Sequence, residues 1–274
     1  MTWMKVLADS GGIADVASLR AAGATPRALT MAVQSGSLVR PRRGFYAGPS
    51  ASAEGLAAVR AGGRLSCTSA ARTYGLWGGM DARIHVCVPP HSTRLRSLDV
   101  VRHWMTTERA QPWRVSLDDC LRSVVRCADE ETAVAVLDTA LGAGRVSFAR
   151  LERIFADEAA WTHGVVAKAR PGSDSGVESI VRQRLAAAGH LVEQQVYVAG
   201  VGRVDLRIDA RLFIELDGFA YHGDRDSFER DRVRDAGLAL RRERRLRLSA
   251  RQVMNEWELA YSLIQAVLAT PENA

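Results

Sequence analysis

Gly202-Arg-Val-Asp-Leu-Arg-Ile-Asp-Ala-Arg-Leu-Phe-Ile-Glu-Leu-Asp217 alternates apolar and polar residues in two runs, the pattern of a β-hairpin with one buried face. Val204, Leu206 and Ile208 alternate along one side of a first strand, Gly202 to Ile208. Leu212, Ile214 and Leu216 do the same along a second. A tight turn near Asp209 and Ala210 joins them. Pairing the two apolar rows sets Asp205 opposite Glu215 and points Asp217 to the same face. Like charges across a strand pair repel, so this face becomes reasonable when a divalent cation lies between them. Oxygen-only ligands suit Mg2+ or Mn2+. Such an ion polarises a phosphoryl oxygen and lowers the pKa of an attacking water, the chemistry of metal-assisted hydrolysis. The alternative is an acidic surface hairpin with ion pairs to Arg203 and Arg207.

Upstream of this hairpin, Pro171-Gly-Ser-Asp-Ser-Gly176 reads as a linker. Val177 to Ala188 reads as a helix with Glu178 in its first turn, where a carboxylate favours the helix dipole. Leu191 to Val198 reads as a strand. An Asp, a short gap and then Glu-x-(basic) on the adjoining strand is the signature of PD-(D/E)xK nucleases. The whole segment resembles their Vsr-like branch, related to very-short-patch-repair endonucleases. The residues carrying this likeness are Ser175-Gly-Val-Glu178, Val201-Gly-Arg-Val-Asp205, Ile214-Glu-Leu-Asp-Gly218 with His222, Phe228-Glu-Arg-Asp-Arg-Val-Arg-Asp235 and Arg251-Gln-Val-Met-Asn-Glu-Trp257.

The resemblance implies that Asp205 and Glu215 are metal ligands and that Glu178 positions water or a second ion. It also implies His222 as proton donor or shuttle, since its near-neutral pKa suits that task. Two departures stand out. Asp217 occupies the superfamily's lysine position, leaving Gln195 and Arg203 as candidates to stabilise the transition state. The strand expected after the helix near Phe228 reads Arg241-Arg-Glu-Arg-Arg-Leu-Arg-Leu248, too charged for burial on both faces. It lies at a sheet edge or serves as a phosphate-binding strip.

At the other end, Thr2 to Leu7 and Asp15 to Ala22 read as short helices, the second closed by Gly23. Thr25 followed by Pro26 starts a third, because a hydroxyl N-cap precedes a proline whose missing N–H costs nothing there. Ser37 to Ala47 reads as two short strands around a basic turn. Helices followed by a basic hairpin give the order of a winged helix. Arg27, Thr30 and Gln34 face outward from the third helix, and Arg40, Arg42 and Arg43 sit on the wing, a footprint with a DNA-docking geometry. The alternative is a small helical cap with solvated arginines. These first fifty or so residues resemble the N-terminal domain of AbiEi-type antitoxins of type IV toxin–antitoxin systems.

The middle stretch is less informative. Arg83 to Val88 and Val100 to Trp104 read as neighbouring strands, and Leu117 to Ala128 and Glu131 to Leu141 as amphipathic helices. His85 and His103 have two readings, a pair of metal ligands or a structural pair of strand histidines, and without a nearby carboxylate the structural one is favoured. Cys67, Cys87, Cys120 and Cys127 show no C-x-x-C spacing and read as small core hydrophobes in a reducing compartment, Cys120 and Cys127 on one buried helix face.

Composition agrees with a folded chain. Apolar residues at 47% and charged residues at 25% exclude disorder as the default. A net charge of +6 fits a polyanionic partner. No long apolar run suggests a membrane span, and no signal-peptide core is apparent, so the expected location is cytoplasmic. The expected architecture is α/β: a winged helix over residues 1–50, an α/β connecting domain over 51–170, and a restriction-endonuclease-like PD-(D/E)xK domain over 171–274. The function so read is a DNA-binding, Mg2+- or Mn2+-dependent endonuclease with DNA as partner. The other reading is a non-enzymatic, antitoxin-like transcriptional regulator with a degenerate nuclease fold and a cognate toxin as partner.

Overall fold

Thr25 and Pro26 open a helix as their chemistry dictates: the Thr25 hydroxyl accepts the Ala28 N–H at 3.1 Å, and Pro26 takes the first helical position. The computed structural model describes residues 2–92, 99–108, 111–199, 201–217 and 244–270. They form a mixed α/β protein that divides into two compact units, Met1–Val136 with Glu152–His163, and Leu137–Leu151 with Gly164–Ala274.

The first unit begins with α1 (Trp3–Asp9), β1 (Ile13–Asp15), α2 (Val16–Ala21), α3 (Pro26–Gln34), β2 (Val39–Arg42) and β3 (Phe45–Ala47). The strands close into an antiparallel sheet of order β1-β3-β2. Gly44 makes the turn between β2 and β3 with φ +86°, a conformation that a Cβ penalises. Leu7, Leu19, Leu29 and Leu38 bury against one another beneath the helices. The chain continues through α4 (Ala53–Ala61), β4 (Arg64–Leu65), α5 (Cys67–Thr73), β5 (Ile84–Val88), β6 (Val100–Trp104) and α6 (Leu117–Cys127). The two strands read as neighbours do pair, in parallel, with His85 beside Val101 and Cys87 beside His103. Cys120 and Cys127 part company, however: Cys120 is buried, whereas Cys127 is the last residue of α6 and is exposed. The shared helix face loses its cover where the helix stops.

Helices α7 (Glu130–Gly142), α8 (Phe148–Phe155) and α9 (Ala160–Lys168) follow, and the division into units cuts through them. Within the second unit, Asp138 is fully buried and accepts hydrogen bonds from the Arg170 N–H at 2.7 Å, Ser179 Oγ at 2.7 Å and Arg182 Nη2 at 2.9 Å. Removing one partner of a buried charge pair costs about 3–5 kcal/mol, so this contact fixes α7 to the helix that carries Ser179 and Arg182. That helix is α10 (Gly176–Ala187), capped by the Ser175 hydroxyl. The stretch 171–176 lies within the second unit, and Ser173 there is buried.

The sheet of the second unit is built from β7 (Val192–Val198), β8 (Gly202–Ile208), β9 (Leu212–Asp217) and β10 (Arg244–Ser249), in order β10-β9-β8-β7. Neighbours are antiparallel except β10, which runs parallel to β9. Val204, Leu206, Ile208, Leu212 and Ile214 are all fully buried, the apolar rows that set the register. The turn uses Asp209 and Ala210 in left-handed conformations, with the Arg211 N–H bonded to the Ile208 carbonyl at 2.9 Å. Asp209 is held by its side chain, which accepts the Leu191 N–H at 2.8 Å and faces His190 Nδ1 at 2.7 Å. The charged stretch read as a sheet edge or a phosphate-binding strip supplies β10, which lies at the edge of the sheet among the described residues. Helices α11 (Ala250–Asn255) and α12 (Trp257–Ala269) complete the unit.

Candidate functional site

On α3, Arg27, Thr30 and Gln34 recur at helical spacing and are all exposed or half-exposed, while Leu29 on the opposite side is 1% exposed. Arg40, Arg42 and Arg43 are exposed along β2 and its turn, and Pro41 between them is buried. Among the described residues none of Arg27, Arg40, Arg42 and Arg43 is drawn into an ion pair. The helix therefore presents a polar face with one guanidinium, and the hairpin presents three more. This is surface suited to phosphate oxygens and base edges.

A second set of sequence candidates lies in the C-terminal sheet. Gln194 pairs with Leu206 and Val196 with Val204, which brackets Gln195 opposite Asp205. Leu206 pairs with Ile214, and the same register carried one residue further sets Asp205 beside Glu215. Arg247 pairs directly with Glu215. The row across the four strands is thus Gln195, Asp205, Glu215 and Arg247, as the alternation in sequence required for its two central members.

Each carboxylate in this row has protein partners. Asp205 Oδ2 accepts the Leu216 N–H at 2.9 Å, so a side chain carries on the link between β8 and β9. Glu215 is buried and accepts from Arg247 Nη2 at 3.0 Å. Asp217 lies 3.6 Å from Arg247 Nε. Glu178, reaching in from the first turn of α10, is 5% exposed and accepts from the Asp174 N–H at 2.9 Å and Gln195 Nε2 at 2.8 Å. Burial pushes the Glu178 carboxyl above the usual carboxylate range, and the nearby charge of Asp205 adds to this. Gln195 itself adopts φ +52°, an uncommon conformation for a side-chain-bearing residue.

Glu178, Gln195, Asp205 and Glu215 are therefore neighbours, and Asp217 joins them through Arg247. The ligand atoms of Glu178, Asp205 and Glu215 do not, however, close on one point as a compact metal cage among the described residues. Arg203, a candidate to replace the lysine, is engaged by Asp174, and Arg207 by Glu193 at 2.6 Å. His222 and the stretch Phe228 to Asp235 lie outside the described residues. Arg247 is the residue that sequence reasoning left unassigned. Its signal was the charged strand itself, whose alternation puts Arg245 and Arg247 on one side and Leu246 and Leu248 on the other.

The helices and three-stranded sheet of the first fifty residues have the order of a winged helix. Residues 4–48 match the family described as "Transcriptional regulator, AbiEi antitoxin". No curated protein matches the chain. No helix among the described residues is long and apolar enough to cross a membrane.

Proposed function

We propose that this chain is a DNA-binding protein that grips duplex through α3 and the β2–β3 hairpin and hydrolyses phosphodiester bonds at its C-terminal sheet. The binding half rests on one observation: four exposed arginines, without carboxylate partners among the described residues, share a compact domain with a polar helix face. Similarity to a family of transcriptional regulators supports the same half. Arg27, Thr30 and Gln34 enter the major groove, and Arg40, Arg42 and Arg43 hold the flanking backbone. Gel-shift titration of the full chain on random duplex tests this, with binding that weakens steeply as salt rises.

The hydrolytic half rests on the concentration of three carboxylates, Asp205 and Glu215 in one sheet row and Glu178 reaching toward it from α10, with Glu178 and Glu215 buried. All-oxygen donors fit Mg2+ or Mn2+, which keep several waters and take the rest of their shell from phosphate. A divalent ion bound there polarises a phosphoryl oxygen and lowers the pKa of a water. Asp205 and Glu215 hold that ion, Glu178 and Gln195 orient the water, and His222 supplies or carries the proton. Arg247, released from Glu215 and Asp217, is placed to meet the phosphate.

A second reading has one specific observation in its favour. Arg247 already neutralises Glu215, which suits a regulator whose nuclease-like sheet serves as scaffold or as docking surface for a toxin. A Mg2+-dependent nicking assay on supercoiled, branched and single-stranded DNA separates the two. Cleavage abolished by chelator supports the nuclease; none on any substrate supports the regulator.

A further inference from the structure

Cys67, His85, His103 and Cys127 lie far apart in sequence, yet their ligand atoms all fall within 4.8 Å of one another. Four elements converge to achieve this. Cys67 opens α5, His85 and His103 stand on one face of the parallel β5–β6 pair, and Cys127 ends α6. His85 Nδ1 is 3.1 Å from His103 Nε2 and 3.7 Å from Cys127 Sγ. A tetrahedral zinc ion, with Zn–N about 2.0–2.1 Å and Zn–S about 2.3 Å, separates its nitrogens by about 3.3 Å and nitrogen from sulfur by about 3.5 Å. The spacing already matches.

The surroundings of the group are those of a ligand set. His85 is 3% exposed, and its other nitrogen, Nε2, faces Asp81 Oδ2 at 3.3 Å. A carboxylate behind a histidine fixes its tautomer and aims the free lone pair at the metal. Asp81 is held in turn by Arg83, through Nε at 3.0 Å and Nη2 at 2.7 Å. The His85 N–H is tied to Ser69 Oγ at 2.9 Å. Cys67 is fully buried at φ +51°, a left-handed backbone that seldom carries a side chain, so the fold holds its sulfur in place against local preference. A cavity lined by Asp81, His85 and Cys127 adjoins the group.

We propose that Cys67, His85, His103 and Cys127 form a structural zinc site that clamps α5 and α6 to the β5–β6 strands. Two thiolates and two neutral imidazoles balance a divalent charge. Four protein ligands leave no open position for substrate, so the site stabilises and does not catalyse. A nucleophilic Cys127 assisted by His85 would use neither the second cysteine nor the second histidine, whereas a metal uses all four. Cysteines in such a site are ligands, not the core hydrophobes that their spacing suggested.

The test uses the full chain, purified under reducing, chelator-free conditions. Elemental analysis is expected to find about one zinc per chain. After stripping, Co2+ is expected to give the strong visible bands of a tetrahedral ion together with thiolate-to-metal charge transfer. Carboxylate-bound Co2+ lacks that charge transfer, so the C-terminal sheet cannot produce it. Stripping lowers the Tm and zinc restores it. Cys127→Ser and His103→Gln alter the more exposed ligands, leave a folded chain and abolish the charge-transfer spectrum or weaken zinc binding severely. Asp81→Ala leaves all four ligands in place, removes only the carboxylate behind His85, and is expected to weaken affinity about 10–100-fold. Absence of zinc with a featureless Co2+ titration of wild type overturns the proposal, as does a Cys67–Cys127 disulfide that persists under the reducing purification or wild-type affinity in all three variants.

Discussion

Arg247 on the edge strand β10 donates to the Glu215 carboxylate on β9 at 3.0 Å, and the two residues are direct partners in the parallel ladder. Glu215 is buried, while the Arg247 side chain is 36% exposed. The guanidinium is thus the half-exposed counter-charge of a buried carboxylate. Arg247→Met is expected to lower the Tm in metal-free buffer, because a buried charge then lacks its main partner. Added Mg2+ should recover more of that stability than it adds to wild type, as ion and arginine compete for the same oxygens. Thermal melts of both proteins with and without Mg2+ decide the point. An identical Mg2+ response in the two would remove Arg247 from the metal account.

Asp205 has two separable tasks: its charge, and its acceptance of the Leu216 N–H. Asp205→Asn retains an acceptor oxygen, so stability should stay within about 1 kcal/mol of wild type. Cleavage should nonetheless disappear, because an amide is a poor ligand for Mg2+ beside its carboxylate parent. Asp205→Ala should lose activity and stability together. Full cleavage by the Asn variant would show that Asp205 is a strand clamp only.

Glu178 links the site to pH. Burial raises its carboxyl pKa in the folded chain above the unfolded value. The folded state therefore holds the proton more tightly, and this residue's contribution is greatest below the unfolded pKa and declines as pH rises through the folded one. Glu178→Gln, which cannot ionise, should flatten that decline and give a metal-free Tm at neutral pH at or above wild type. A lower Tm for the variant across the whole range would mean that the Asp174 and Gln195 hydrogen bonds outweigh the charge.

How much of the fold and site was legible in the sequence depends on whether the signal was local. Thr25 with Pro26 marks a helix start by capping alone, and the structure has it there. The alternation from Val204 to Leu216 sets the β8–β9 register because a slip of one residue would turn Val204, Leu206, Ile208, Leu212 and Ile214 out of the core. The charge of Arg244, Arg245 and Arg247 indicated an edge strand, since an edge leaves such side chains room to reach water. Of the Cys67, His85, His103 and Cys127 group only the histidine pair was legible as a ligand reading, because the four residues come from two helices and two strands. Short spacing signals a metal site only when a single turn or hairpin supplies two ligands. The carboxylate behind His85 was equally hidden: Asp81 sits just four residues upstream, beyond the strand's own alternation.

A grip on duplex through Arg40, Arg42 and Arg43 must show itself in the salt dependence of binding, because each phosphate they neutralise releases a counterion. Fluorescence anisotropy on one labelled duplex, titrated from low to high salt, should give a steep line of log Kd against log salt for wild type. The combined variant Arg40→Ala, Arg42→Ala and Arg43→Ala should bind more weakly, with a slope shallower by about 0.9 for each phosphate it no longer neutralises. The C-terminal sheet is untouched by these changes, so the Tm should hold. A triple variant with wild-type affinity and wild-type slope would contradict the account and make the first fifty residues a protein-docking cap.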